Sequence, residues 1–248
     1  MGETKWFTLA YAYPRRMRTW YEDVVGRFVA ERFPDATSVI VAGSTVRNER
    51  TASSDVDLLL LGPDGFLADG ADSLAATYAH EGEAVEVFAY TPVGFERWAQ
   101  RGVEQWRPVI VRMLLEGRVL AGDEVLEQLR ERWAETYDRG PQPEDADVNL
   151  LRYAITDLVD DLADVTDDVE RRVVAAELLR QVASLALITN HRWIGTGKHL
   201  SRELRRWDAV RAARLTDPYV AGDFDAFHAA AAAELESAGG RLRTGFTR

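Results

Sequence analysis

The stretch VAGSTVRNERTASSDVDLLLL, residues 41–61, changes character twice. An apolar run breaks at Gly43-Ser44, a polar segment follows, and two carboxylates one residue apart, Asp55 and Asp57, open a run of four leucines. A carboxylate beside a buried apolar strand is costly unless something compensates it. In a strand alternate side chains share a face, so Asp55 and Asp57 point one way and Val56 the other, about 6–7 Å apart. An oxygen-seeking divalent cation, chiefly Mg²⁺, is the natural neutraliser, because it takes a few carboxylates together with phosphate oxygens and water.

Outward from this stretch, the periodicity predicts a helix over Tyr13 to Phe33, a stop at FPDA and a strand at SVIVA. DVDLLLL reads as the second strand and ends at the turn GPDG. A helix is expected from about Ala71 to His80, and a third strand at AVEVFAY before Thr91-Pro92. The order helix-strand-strand-helix-strand describes a small mixed sheet with helices against it. In the third strand Glu86 alternates with Val85 and Val87. If that strand lies beside the second, three carboxylates meet on one side of the sheet. Gly43 permits close approach of backbone to a ligand, and the Ser44 hydroxyl with neighbouring N–H groups can hold phosphate oxygens. A phosphate-holding turn beside a three-carboxylate site provides the parts for a two-metal phosphoryl displacement.

From Val93 onward the pattern is almost entirely helical, over about 93–101, 105–117 and 124–138. RGPQPEDAD, residues 139–147, is the linker candidate, followed by amphipathic helices over about 144–164 and 167–190, a Gly-flanked break leading into a short basic helix, and a terminal helix DFDAFHAAAAAELESA. The expected fold class is α+β: an N-terminal domain, residues 1–138, with a small mixed β-sheet and flanking helices, and a C-terminal α-helical bundle, residues 139–248.

Composition narrows the function classes. The 248 residues contain no cysteine, which excludes disulfides, thiolate nucleophiles and Cys-based zinc sites, and the four histidines have no close metal-ligand spacing. A net charge of −11 opposes general binding to nucleic acid and suits a cationic ligand. No apolar run approaches the ~20 residues of a membrane span, and no secretory signal is visible, so the expectation is a cytoplasmic protein.

Gly43-Ser44, ten residues, Asp55-Val56-Asp57, and later hydrophobic-Glu86-hydrophobic together resemble the signature of the DNA polymerase β-like nucleotidyltransferase superfamily. The resemblance covers about residues 37–90. It implies that Asp55 and Asp57 bind the metals, two Mg²⁺ ions, and that Glu86 completes the site or activates the acceptor hydroxyl. It also implies that Gly43 and Ser44 hold the terminal phosphates of the nucleotide. Many small members place Arg directly after Gly-Ser; here Thr45 stands there and Arg47, two residues on, is the nucleotide-binding candidate.

The layout, a catalytic N-terminal domain followed by a helical bundle, resembles bacterial antibiotic nucleotidyltransferases of the aminoglycoside-modifying kind, as does the segment containing Gly117-Arg118-Val119-Leu120. That resemblance implies transfer of AMP from ATP to a hydroxyl of a small, possibly cationic acceptor, with release of pyrophosphate. Lys198, after the Gly-rich break, is then a candidate for the nucleotide phosphates. Asp157, Asp161 and Asp164 share a helical stripe with Asp160 nearby, and Asp157, Asp160 or Asp161 rather than Glu86 would be an alternative base. Trp106, expected on the helix over 105–117, is a stacking candidate. The competing reading is a toxin–antitoxin-type nucleotidyltransferase modifying a partner protein or tRNA; no Arg-x(4–6)-His motif on a helix and the acidic charge weigh against it.

Overall fold

A computed structural model describes residues 19–243, and the chain divides into two compact units between Asp138 and Arg139. The first unit opens with α1, Trp20–Arg32, whose start is fixed by a capping box between Thr19 and Glu22. Strand β1, Ser38–Ala42, is buried along its whole length and runs directly into a helical turn, α2, Gly43–Val46. Strand β2 is Val56–Leu61, β3 is Ser73–His80 and β4 is Glu83–Tyr90. Helices α3, Pro92–Glu104, and α4, Val109–Glu116, lead to a short strand β5, Arg118–Ala121, and to α5, Glu124–Arg139. The sheet order is β3-β4-β2-β1-β5; β2 and β4 are parallel and the other neighbours antiparallel.

Period-two alternation divides the sheet between two cores. Val39, Val41, Val56, Leu58, Leu60, Val85 and Val87 face α1, where Tyr21, Val25, Phe28 and Val29 close over them. Ile40, Leu59, Leu61 and Tyr90 face the other way, against Phe95, Ile110, Leu114, Leu126 and Trp133 from α3 to α5. Leu58 to Leu60 are wholly buried, and each such side chain contributes about 1.5–3 kcal/mol on leaving water. A strand held this firmly tolerates half-buried carboxylates at its start.

Two expectations are corrected. Residues 73–80 are a strand, not a helix: Leu74, Ala76, Tyr78 and His80 turn inward while Ala75, Thr77 and Ala79 are exposed. The alanines read as helix formers, but the two-residue turn Glu81-Gly82, both at positive φ, folds β3 back onto β4 as a hairpin. Trp106 lies on no helix; it sits at φ 56° in the turn between α3 and α4, a break made by Gln105 to Pro108. Strand β5, not expected, follows Gly117 and completes the sheet beside β1.

The second unit is helical: α6, Asp145–Asp164; α7, Asp168–Ile188; α8, Lys198–Trp207; α9, Ala209–Ala221; and α10, Phe224–Ser237. It has its own core, built on Ile155, Val159, Leu178, Leu185, Leu204, Leu215 and Phe227. The fold class is the α+β arrangement expected, a small mixed five-stranded sheet with helices and then a run of helices. Among the described residues no helix is long and apolar enough to cross a membrane. The beginning of the helix predicted from Tyr13 lies outside the described residues.

Candidate active site

The ladder between β2 and β4 sets Asp57 directly opposite Glu86. Across the other edge of β2, Asp57 faces Ala42, the last residue of β1, so Gly43 starts its helical turn against the Asp57 side chain. Asp55, two residues before Asp57, falls on the same face. One carboxylate oxygen from each of Asp55, Asp57 and Glu86 can be chosen so that all three lie within 4.8 Å of one another, and all three residues are half-buried.

Gly43 has φ 66°, and a Cβ built there would stand 1.6 Å from Asp57 Oδ2. The missing side chain therefore leaves the space into which the Asp57 carboxylate projects. The cluster carries more negative charge than its surroundings balance. Burial, then the neighbouring charges of Asp55 and Glu86, and a hydrogen bond with Glu86, push the Asp57 carboxyl up to about 7, with Arg47 pulling the other way. Clustered hard oxygen donors with uncompensated charge fit a divalent cation of the Mg²⁺ type.

Around the cluster, Ser44 is half-buried within α2, and Arg47 closes that turn with its Nε 3.1 Å from Glu49 Oε2. Thr45, where an Arg stands in many superfamily members, is buried, and its hydroxyl lies 3.5 Å from the Asp55 carbonyl. Arg50 was not anticipated. Its Nη2 donates to the Ser54 carbonyl at 2.8 Å and to Glu83 Oε2 at 2.5 Å, and its guanidinium lies 4.7 Å from the Trp20 ring centre. No spacing rule joins Arg50 to Glu83; only the pairing of β2 with β4 shows why they meet.

The remaining candidates belong to the second unit. Lys198 is exposed and opens α8 after Gly197. Asp157, Asp161 and Asp164 are exposed on α6. Asp160 is bound to Arg241 and Arg243. Burial works to raise its carboxyl, but hydrogen bonds from both guanidinium groups outweigh it and hold the group below the usual carboxylate range. A carboxylate so engaged is poorly suited to act as a base.

Residues 24–116 match the nucleotidyltransferase domain family. That part of the chain is similar to a nucleotidyltransferase domain. The similarity makes the chain an enzyme of the transferase class, and the matched residues hold strands β1 to β4 and all three clustered carboxylates. No curated protein matches the chain. Among solved structures, one described as a nucleotidyltransferase-like protein from Exiguobacterium sibiricum 255-15 is similar at a TM-score of 0.46 and 14% identity, over 88% of this chain and 74% of that one.

Proposed function

We propose that this enzyme transfers a nucleoside monophosphate, AMP from ATP, to a hydroxyl of a small molecule such as an aminoglycoside-like antibiotic, and releases pyrophosphate. The observation that carries this reading is the meeting of Asp55, Asp57 and Glu86 within 4.8 Å inside a nucleotidyltransferase domain, beside a glycine whose missing side chain makes room for them. Asp55 and Asp57 would hold two Mg²⁺ ions, with Glu86 completing the set. When bound, the metal supplies Lewis-acid neutralisation of the triphosphate and of the charge that develops during transfer. Gly43 and Ser44 bind the β- and γ-phosphates, with Arg47 beside them.

The acceptor oxygen forms a bond to the α-phosphorus as the bond to the bridging oxygen breaks, and pyrophosphate leaves with that electron pair. The hydroxyl proton passes to Glu86. A cationic acceptor is favoured by the net charge of −11, and we read the protein as cytoplasmic, conferring antibiotic resistance.

The test is pyrophosphate release with ATP and Mg²⁺ across aminoglycosides, lincosamides, nucleosides and a tRNA pool. Release with a cationic small molecule supports the reading. Release only with tRNA, or with none of them, overturns the choice of acceptor.

A further inference from the structure

The three clustered carboxylates are not held alike. Asp57 and Glu86 stand inside the sheet ladder, paired with each other and with Ala42 and Thr77 on their outer sides. Asp55 lies one residue before β2, where the registers with β1 and β4 have ended at Asp57 and Val56. Its position relative to the other two therefore depends on the segment 48–54, which begins with Asn48 at φ 57°.

That segment is tied at its far end. Thr51 N donates to Ser54 Oγ at 2.9 Å and Ser54 N to the Thr51 carbonyl at 3.0 Å, closing a compact turn. Arg50 then joins this turn to the sheet, with the same Nη2 reaching the Ser54 carbonyl and the carboxylate of Glu83, the first residue of β4. Glu83 lies three residues before Glu86 on one strand, and Ser54 lies directly before Asp55. The guanidinium carbon lies over the Trp20 indole, 4.7 Å from the ring centre. A planar guanidinium donates in its plane while its face stacks, which an ammonium group cannot reproduce. Its hydrogen bonds to a carboxylate and a carbonyl are of the charge-assisted, strong kind.

We propose that Arg50 is a positioning residue for the metal site: by tying the Ser54 carbonyl to the first residue of β4, it holds Asp55 at ligand distance from Asp57 and Glu86. The inference rests on the reading of that carboxylate cluster as a metal site. The Arg50 charge is engaged by Glu83, so it acts through the placement of Asp55.

Mn²⁺ titration of the full chain, followed by the electron paramagnetic resonance of free Mn²⁺, tests this in the wild type and in Arg50→Met, Arg50→Lys and Glu83→Gln, with circular dichroism of each. Outer partners of metal ligands typically contribute about 10–100-fold to affinity. All three variants are expected to fold and to bind Mn²⁺ at least about tenfold more weakly. Arg27→Met, which removes only the exposed pair with Glu81, is expected to bind as the wild type does. A folded Arg50→Met or Glu83→Gln with wild-type Mn²⁺ affinity overturns the inference, and Glu83→Gln decides it if Arg50→Met does not fold. Full affinity in Arg50→Lys overturns it as well, since charge alone would then suffice. A wild type that takes up no Mn²⁺ overturns the metal-site reading and this inference with it, whereas equal binding by wild type and variants overturns this inference alone.

Discussion

Asp57 concentrates the electrostatic cost of the site. Its carboxyl is raised from the ordinary range to about 7, first by burial and then by Asp55 and Glu86. The folded protein thus keeps a proton that the unfolded chain gives up near pH 4. Asp57 therefore favours the fold at low pH, and that contribution is lost as pH rises toward 7. Thermal denaturation without metal is expected to show wild type losing stability over this window relative to Asp57→Asn, which lacks the group. Added Mg²⁺ should raise the wild-type midpoint more at pH 8 than at pH 5.5. The same Asp57→Asn variant should fold yet lose transfer by about a hundredfold or more in steady-state assays, the scale of removing one electrostatic stabiliser. Gly43→Ala should act differently: the new methyl pushes the Asp57 carboxylate aside, and the left-handed φ costs about 1–2 kcal/mol. Its predicted result is a folded protein, a few degrees less stable, with transfer and Mg²⁺ binding largely lost. Asp55, Asp57 and Glu86 were legible in the sequence because strand alternation places like positions on one face. Arg50 was not, since its partners Ser54 and Glu83 become neighbours only when β2 pairs with β4.

Elements with a continuous apolar signal were the readable ones. SVIVA and VDLLLL form strands buried almost throughout, and the long helices α6 and α7 begin close to where their acidic caps predict. Strand β3 was misread because Ala75, Ala76 and Ala79 favour helix as isolated residues, while the strand is decided by what it packs on. Tyr78 lies 5.6 Å from the Phe28 ring and 6.0 Å from that of Phe33, both presented by α1 and its end. The turn was the available signal. Gly82 sits at φ 84°, so Gly82→Ala is expected to destabilise the domain by about 1 kcal/mol, read as a lower denaturant midpoint with an unchanged slope. Strand β5 has four residues, only partly buried, and too few to show alternation.

At the scale of the molecule, the two units have separate cores with no residue in common. Residues 139–248 alone are therefore predicted to fold into a cooperative helical unit, to be checked by circular dichroism and thermal melting; a non-cooperative melt would show that the second core is insufficient by itself. That unit is closed by its own last described residues. Arg152 Nε donates to the Gly240 carbonyl at 2.9 Å, Leu242 N to Thr156 Oγ1 at 3.0 Å, and Asp160 binds Arg241 and Arg243. Three side chains one helical turn apart on α6 thus receive residues 239–243, an arrangement that period-four spacing allows but does not announce.

The parallel pairing of β2 with β4 also governs where the chain can change length. Asp57 and Glu86 are brought together by register, and the connection from 62 to 72 only has to span the distance. Added residues there, or around Glu81-Gly82, would lengthen a surface loop at small entropic cost. One residue inserted between Glu83 and Glu86, with the hairpin end held, would instead turn Glu86 to the face of Val85 and Val87 and leave Val85 or the inserted residue opposite Asp57. Tolerance to insertion is thus sharply uneven within about ten residues of chain, and a library of single-residue insertions scored for transfer would trace the carboxylate cluster as a gap in an otherwise permissive edge.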